Sequence, residues 1–210
     1  MGIPSEDAAP RRILVLAAHP APRRSFAGRA LRQAARDSDG VTFADLYAEY
    51  PRSDVDADRE QARLAEHDVI IFMFPLFWYS TPALLKEWQD IVLEHGWAYG
   101  SGGTALSGKL FLAALTAGGS ESAYAPDGYN HHKLRTLLSP LEQTAELCGM
   151  VYLPPLAFFS AGHAREDNRL NEFVAEWKGV LAALRDRRLD IETARGLPLL
   201  NGRLDSLVKG

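Results

Sequence analysis

The sequence holds a single cysteine, Cys148, among 210 residues. No disulfide can close within the chain, and a reducing compartment is the natural setting. A small buried hydrophobe is the expected role for Cys148. Long apolar runs are missing too. The longest, Val69 to Tyr79, is broken by Pro75 and falls well short of the roughly 20 residues a spanning helix needs. Basic excess is absent: 23 Lys and Arg stand against 27 Asp and Glu, a net charge of −4, which argues against a nucleic-acid surface. Met1 to Pro10 lacks the basic-then-apolar pattern of a leader. Glu6 occupies the position where a myristoylation signal following Gly2 would need Ser or Thr. G-x-G-x-x-G, G-x-x-x-x-G-K-[ST] and H-E-x-x-H do not occur, so neither a dinucleotide-type Rossmann loop, nor a P-loop, nor a zinc-protease site is expected. The expectation is a cytoplasmic protein, at most peripheral to the inner membrane.

What is present is an alternation of apolar runs and amphipathic stretches. Arg12–Ala18, Val41–Leu46, Val69–Phe74, Leu110–Thr116 and Val151–Phe159 read as strands, the last despite Pro154 and Pro155. Phe26–Ala35, Asp56–His67, Pro82–Leu93, His131–Leu147 (interrupted by Pro140) and Asp167–Arg187 read as helices. Ser25 is the expected N-cap of the first, and Pro82 suits the first turn of the third. Leu170, Phe173, Val174, Trp177, Val180, Leu181 and Leu184 recur at helical spacing, a core stripe. Strands alternating with helices predict an α/β fold, a doubly wound parallel sheet with helices on both faces. The division expected is a flexible tail over 1–10, one domain over 11–187 and a C-terminal extension over 188–210 that packs on the core or on a partner subunit.

In such sheets ligands bind beyond the carboxyl ends of the strands, where strand order reverses. With five strands in the order 2-1-3-4-5, the loops after strands 1, 3 and 4 meet at one crevice. The first is His19-Pro-Ala-Pro-Arg-Arg-Ser25-Phe26. It leads into a helix N-terminus, where free N–H groups attract an anion, and it competes with a plain capped helix carrying solvated arginines. The second, Pro75-Leu-Phe-Trp-Tyr-Ser-Thr-Pro82, offers flat aromatic groups suited to a flat heterocycle, or simply core residues at a strand end. The third, Thr116-Ala-Gly-Gly-Ser-Glu-Ser122, lets backbone approach a ligand closely, or makes an ordinary turn. A fourth glycine- and aromatic-rich loop, Gly96–Thr104, is either a pocket rim or a connection. Gly118-Gly-Ser120-Glu-Ser122 approaches a hydrolase elbow, but Ser122 replaces its last glycine and a loop follows it. His131 and His132 carry no metal spacing.

These segments, together with His95-Gly-Trp-Ala-Tyr-Gly100 and Gly102-Gly-Thr-Ala-Leu106, resemble the flavodoxin-like NAD(P)H:quinone oxidoreductases. Within that family the chain is similar to the ancillary flavoproteins of glutathione-gated potassium efflux, the KefF type. The resemblance spans roughly Arg12 to Arg185. It implies a flavodoxin-like fold and FMN, with FAD as second choice. It places His19, Ser25, Phe26, Ala27 and Gly28 around the flavin phosphate. Pro75, Leu76, Phe77, Trp78 and Tyr79 lie along the ring, and Thr116, Ala117, Gly118, Gly119 and Ser120 meet its polar edge. It also implies that Tyr124, like the matching tyrosine of some members, stabilises charge on the ring together with the Gly118 and Gly119 N–H groups. Some members carry a histidine where Asn130 stands, and the adjacent His131 is the candidate substitute. Phe77 stands at a common glutamine, and Gly28 at a usual asparagine. The implied activity is that of an NAD(P)H dehydrogenase (quinone), a ping-pong cycle in which NAD(P)H passes hydride to flavin N5 and a quinone is then reduced. The implied partners are a second copy of the chain and a potassium-efflux transporter at the membrane, with no nucleic acid.

Overall fold

Apolar runs of five to seven residues form the centre of one parallel sheet. The computed structural model describes residues 9–166 and 168–209, so the expectations for 1–8 and for the helix start at Asp167 lie outside the described residues. The strands are β1 (Ile13–Ala17), β2 (Val41–Asp45), β3 (Val69–Pro75), β4 (Leu110–Thr116), β5 (Val151–Tyr152) and β6 (Leu156–Phe158). Their order is β2-β1-β3-β4-β5, with β6 also pairing β4, and every pairing is parallel. This is the five-position order expected.

The helices are α1 (Phe26–Arg36), α2 (Leu46–Glu49), α3 (Ala57–Ala65), α4 (Ala83–Val92), α5 (Leu134–Leu137), α6 (Ser139–Leu147), α7 (Arg169–Arg185), α8 (Ile191–Arg195) and α9 (Leu204–Leu207). Side chains alternate across a strand, and the central strands are buried on both faces. Leu14, Leu16, Ile70, Phe72, Phe111 and Ala113 face α3, α4 and α6. Ile13, Val15, Val69, Ile71, Leu110 and Leu112 face α1 and α7. Trp177 of the predicted stripe is almost wholly buried and donates its indole N–H to the Leu31 carbonyl at 3.2 Å. Burial of a side chain that size stabilises by roughly 2–3 kcal/mol. None of the described helices is long and apolar enough to cross a membrane.

Four expectations need correction. The fifth strand is two pieces, because Pro154 and Pro155 have no N–H for the ladder; Leu153 donates to the Phe111 carbonyl and pairing resumes only at Leu156. The stretch from His131 is not helical until Leu134, and His131 itself is left-handed at φ 56°. Pro140 falls in the first turn of α6, so it starts that helix rather than interrupting one. Pro82 likewise sits just outside α4, as its N-cap.

The segment after α7 folds onto the protein's own core. Leu189, Ala194, Leu200 and Leu207 are buried against it. Asn201 closes the β6 edge: its Oδ1 accepts from Ala157 N–H at 3.0 Å and its Nδ2 donates to the Ala157 carbonyl at 2.7 Å. Arg135 holds the same segment through the Arg195 and Leu197 carbonyls. A side chain thus satisfies a strand edge that would otherwise invite pairing.

Candidate active site

The carboxyl ends of β1, β3 and β4 do meet at one place. Pro75 pairs with Thr116, and the ladder runs on past the strands: Leu76 N–H donates to the Thr116 carbonyl and Ala117 N–H to that of Phe158. A cleft of about 630 Å³ opens there, a volume typical of cofactor sites. Of the predicted residues, His19, Ser25 and Phe26 line it from the first loop, Pro75, Leu76 and Phe77 from the second, and Thr116, Ala117 and Gly118 from the third.

One end of the cleft is built for an anion. Ser25 caps α1, its Oγ accepting from Gly28 N–H at 3.0 Å, so the hydroxyl proton remains free to donate. The Phe26 and Ala27 N–H groups have no acceptor among the described residues. A Cβ on Gly28 would lie 2.6 Å from Ser25 Oγ, so a larger residue there would have to turn that hydroxyl aside. Arg24 adds positive charge at the mouth.

His19 is half-buried, with Nδ1 accepting from Ala21 N–H at 3.0 Å and its ring edge-on to Phe77. Burial lowers its pKa, the Arg32 guanidinium lowers it further, and Asp45 partly offsets this. The imidazole is therefore neutral at pH 7, with its proton on Nε2. Beneath it a small cavity is lined by Arg32, Gly28 and Thr116. Arg32 pairs with Asp45 there, leaving Arg32 Nη1 and Asp45 Oδ1 buried without partners among the described residues.

The two glycines of the third loop differ. A Cβ on Gly118 would meet no protein atom within 4 Å, whereas one on Gly119 would press on the Tyr124 ring at 3.3 Å. Burial raises the Tyr124 phenol pKa, nearby Tyr79 raises it further, and the Gly119 backbone N–H partly offsets them. The net shift is upward, so Tyr124 stays protonated in the neutral range. Its ring leans on Phe159 and lines a second cleft, of about 610 Å³. Ser120 sits with its Oγ 3.0 Å from that of Ser122.

Other predicted residues fall elsewhere. Phe77 to Ser80 is a tight two-bonded turn whose central residues, Trp78 and Tyr79, are both left-handed. That conformation costs non-glycine residues roughly 1–2 kcal/mol each. It turns the Trp78 indole outward, 93% exposed, and neither Trp78 nor Tyr79 lines the cleft. The Tyr79 hydroxyl donates to Asn130 Oδ1 at 3.1 Å. Asn130, not His131, is thereby tied to the site; His131 is exposed and lines neither cleft. The Gly96–Thr104 loop anchors in the core through Ala98. Missed by sequence reading was the segment after β6, from which Ala161, Gly162, Ala164 and Arg165 line the cleft. Its position after a strand's carboxyl end is the signal that could have found it.

A family model described as flavodoxin-like fold matches residues 11–181. Among curated proteins, the glutathione-regulated potassium-efflux system ancillary protein KefG of Cronobacter sakazakii is 47% identical over 150 residues, covering 71% of this chain and 82% of that protein. Among solved structures, general stress protein 14 of Treponema denticola, in complex with FMN, superposes with a TM-score of 0.78 at 34% identity, covering 82% of this chain and 99% of that one. The NADPH-quinone reductase from P. pentosaceus gives 0.73 at 29% identity, covering 81% and 97%.

Proposed function

The chain belongs to the flavodoxin-like fold family, and from that premise we propose that it is an FMN-dependent NAD(P)H:quinone oxidoreductase. The observation that carries the reading is the cleft itself. Free Phe26 and Ala27 N–H groups, the Ser25 hydroxyl and Arg24 mark its anionic end, and Gly118 leaves open the space a flat ring would need. These residues fit a flavin mononucleotide: phosphate on the α1 N-terminus, ring against the Leu76–Phe77 main chain and the 116–119 loop. The FMN complex of the Treponema relative and the quinone reductase at 29% identity support the same assignment.

The bound flavin supplies the two-electron chemistry between nicotinamide and quinone. The chain's residues orient it and offset the negative charge that develops at its polar edge. Gly118 N–H has no acceptor among the described residues and is the free main-chain donor. Gly119 lies beside the Tyr124 ring and, lacking a side chain, leaves it room. The Tyr124 proton is the donor that strengthens as charge develops. His131, exposed and outside both clefts, receives no part in this scheme. The alternation of nicotinamide and quinone on one open face makes the cycle ping-pong. Tyr124→Phe is expected to slow single-turnover reduction by NADPH about 10²- to 10³-fold; an unchanged rate would remove Tyr124 from the scheme.

A second reading is favoured by the KefG relatives, which are ancillary proteins of a potassium-efflux system. A regulatory flavoprotein subunit, peripheral to the membrane, would use the same site. Co-purification with a transporter supports it, and full quinone reductase activity with no such association would count against it.

A further inference from the structure

The segment from Ser160 to Arg165 belongs to no sequence motif, yet it walls the anionic end of the cleft. It is fixed in place from below. Ser160 N–H donates to the Gly119 carbonyl at 2.9 Å, Ala161 N–H to that of Ala117 at 3.0 Å, and Ala164 is buried. The next residue, Arg165, is exposed and lays its guanidinium over the Phe26 ring, 4.5 Å from the centroid. It makes no ion pair or side-chain hydrogen bond with the described residues. Stacking on an aromatic face holds the guanidinium in one plane while leaving its N–H donors unspent. Those donors lie at the rim of the helix N-terminus whose Phe26 and Ala27 N–H groups are free.

The charges fit a specific occupant. A phosphate monoester carries about −1.5 to −2 at pH 7. Arg32 is committed to Asp45 and His19 is neutral, which leaves Arg24 and Arg165 as the cations lining this end. We infer that Arg165, carried by the segment after β6 and stacked on Phe26, clamps the phosphate monoester of the cofactor and makes the site select phosphorylated over unphosphorylated flavin. This rests on the flavin reading above.

The test is equilibrium binding of FMN and of riboflavin to the apoprotein, read by quenching of flavin fluorescence. The two ligands share the ring and ribityl chain and differ in the phosphate. R165A is expected to weaken FMN about 10- to 100-fold, the range for a charge-assisted contact, and to leave riboflavin unchanged. R165K keeps the charge but loses the planar stack on Phe26, so its FMN affinity should fall between the two. Arg165 is exposed, so the fold does not depend on it, and circular dichroism checks this. Equal losses for both ligands, or wild-type FMN affinity in R165A, would overturn the clamp while leaving the flavin assignment standing. A wild-type protein that binds neither ligand would overturn both.

Discussion

At the scale of single residues, the two adjacent glycines show how a motif conceals a division of labour. Read as sequence, Gly118 and Gly119 are equivalent: each permits close approach of a ligand. In the fold Gly119 lacks a side chain because its own Tyr124 occupies the space, while Gly118 faces open cleft. Gly118→Val is therefore expected to fold normally and lose FMN binding by at least about tenfold, since bulk enters only where the ligand would lie; titration with FMN measures it. Wild-type affinity would show that the ring does not approach this backbone. Gly119→Val is the poorer probe, because it displaces Tyr124 and perturbs the site whether or not a ligand binds there. Ser25 was legible as a cap because the signal is local, a hydroxyl one residue before a helical run. Arg165 was not, because its neighbour Phe26 is far away along the chain and nothing local marks the pair.

At the scale of elements, strand existence followed directly from apolar runs, and the errors fall where proline or a positive φ intervenes. Pro154 and Pro155 split one strand because they lack donors, a consequence the composition of the segment contains but a periodicity count ignores. The turn from Phe77 to Ser80 is the sharper case. Its aromatics looked like a ring-binding surface, yet left-handed backbone at Trp78 and Tyr79 sends the indole into solvent. Tyr129 is 86% exposed as well, and the Tyr79–Asn130 hydrogen bond ties its segment to this turn. Exposed aromatics gathered in one place mark an interface, and a second copy of the chain is the proposed occupant. Light scattering should give twice the mass of one copy, and Trp78→Ser should shift it toward the monomer. A wild-type monomer at micromolar concentration would contradict this. Other contacts were invisible in the sequence for lack of any pattern, such as the fully buried Glu60 that accepts from Tyr50, Trp88 and Arg63.

At the scale of the whole molecule, the sheet order brings three loops together that lie some fifty and forty residues apart in the chain. Topology, not local chemistry, makes them a site, which is why their joint occurrence was informative while each alone was ambiguous. The C-terminal segment, unreadable in sequence, finishes the same sheet by placing Asn201 on its edge and burying Leu200 and Leu207. The proposal for the finished molecule is a flavin held in this cleft and reducible by a nicotinamide nucleotide. The most direct measurement is the visible absorption spectrum of the purified protein, supplemented with FMN and followed anaerobically before and after NADPH. Protein-bound flavin bands that bleach on addition and return with a quinone are expected. A protein that takes up no flavin, or whose bound flavin NADPH and NADH leave oxidised, would contradict the proposal.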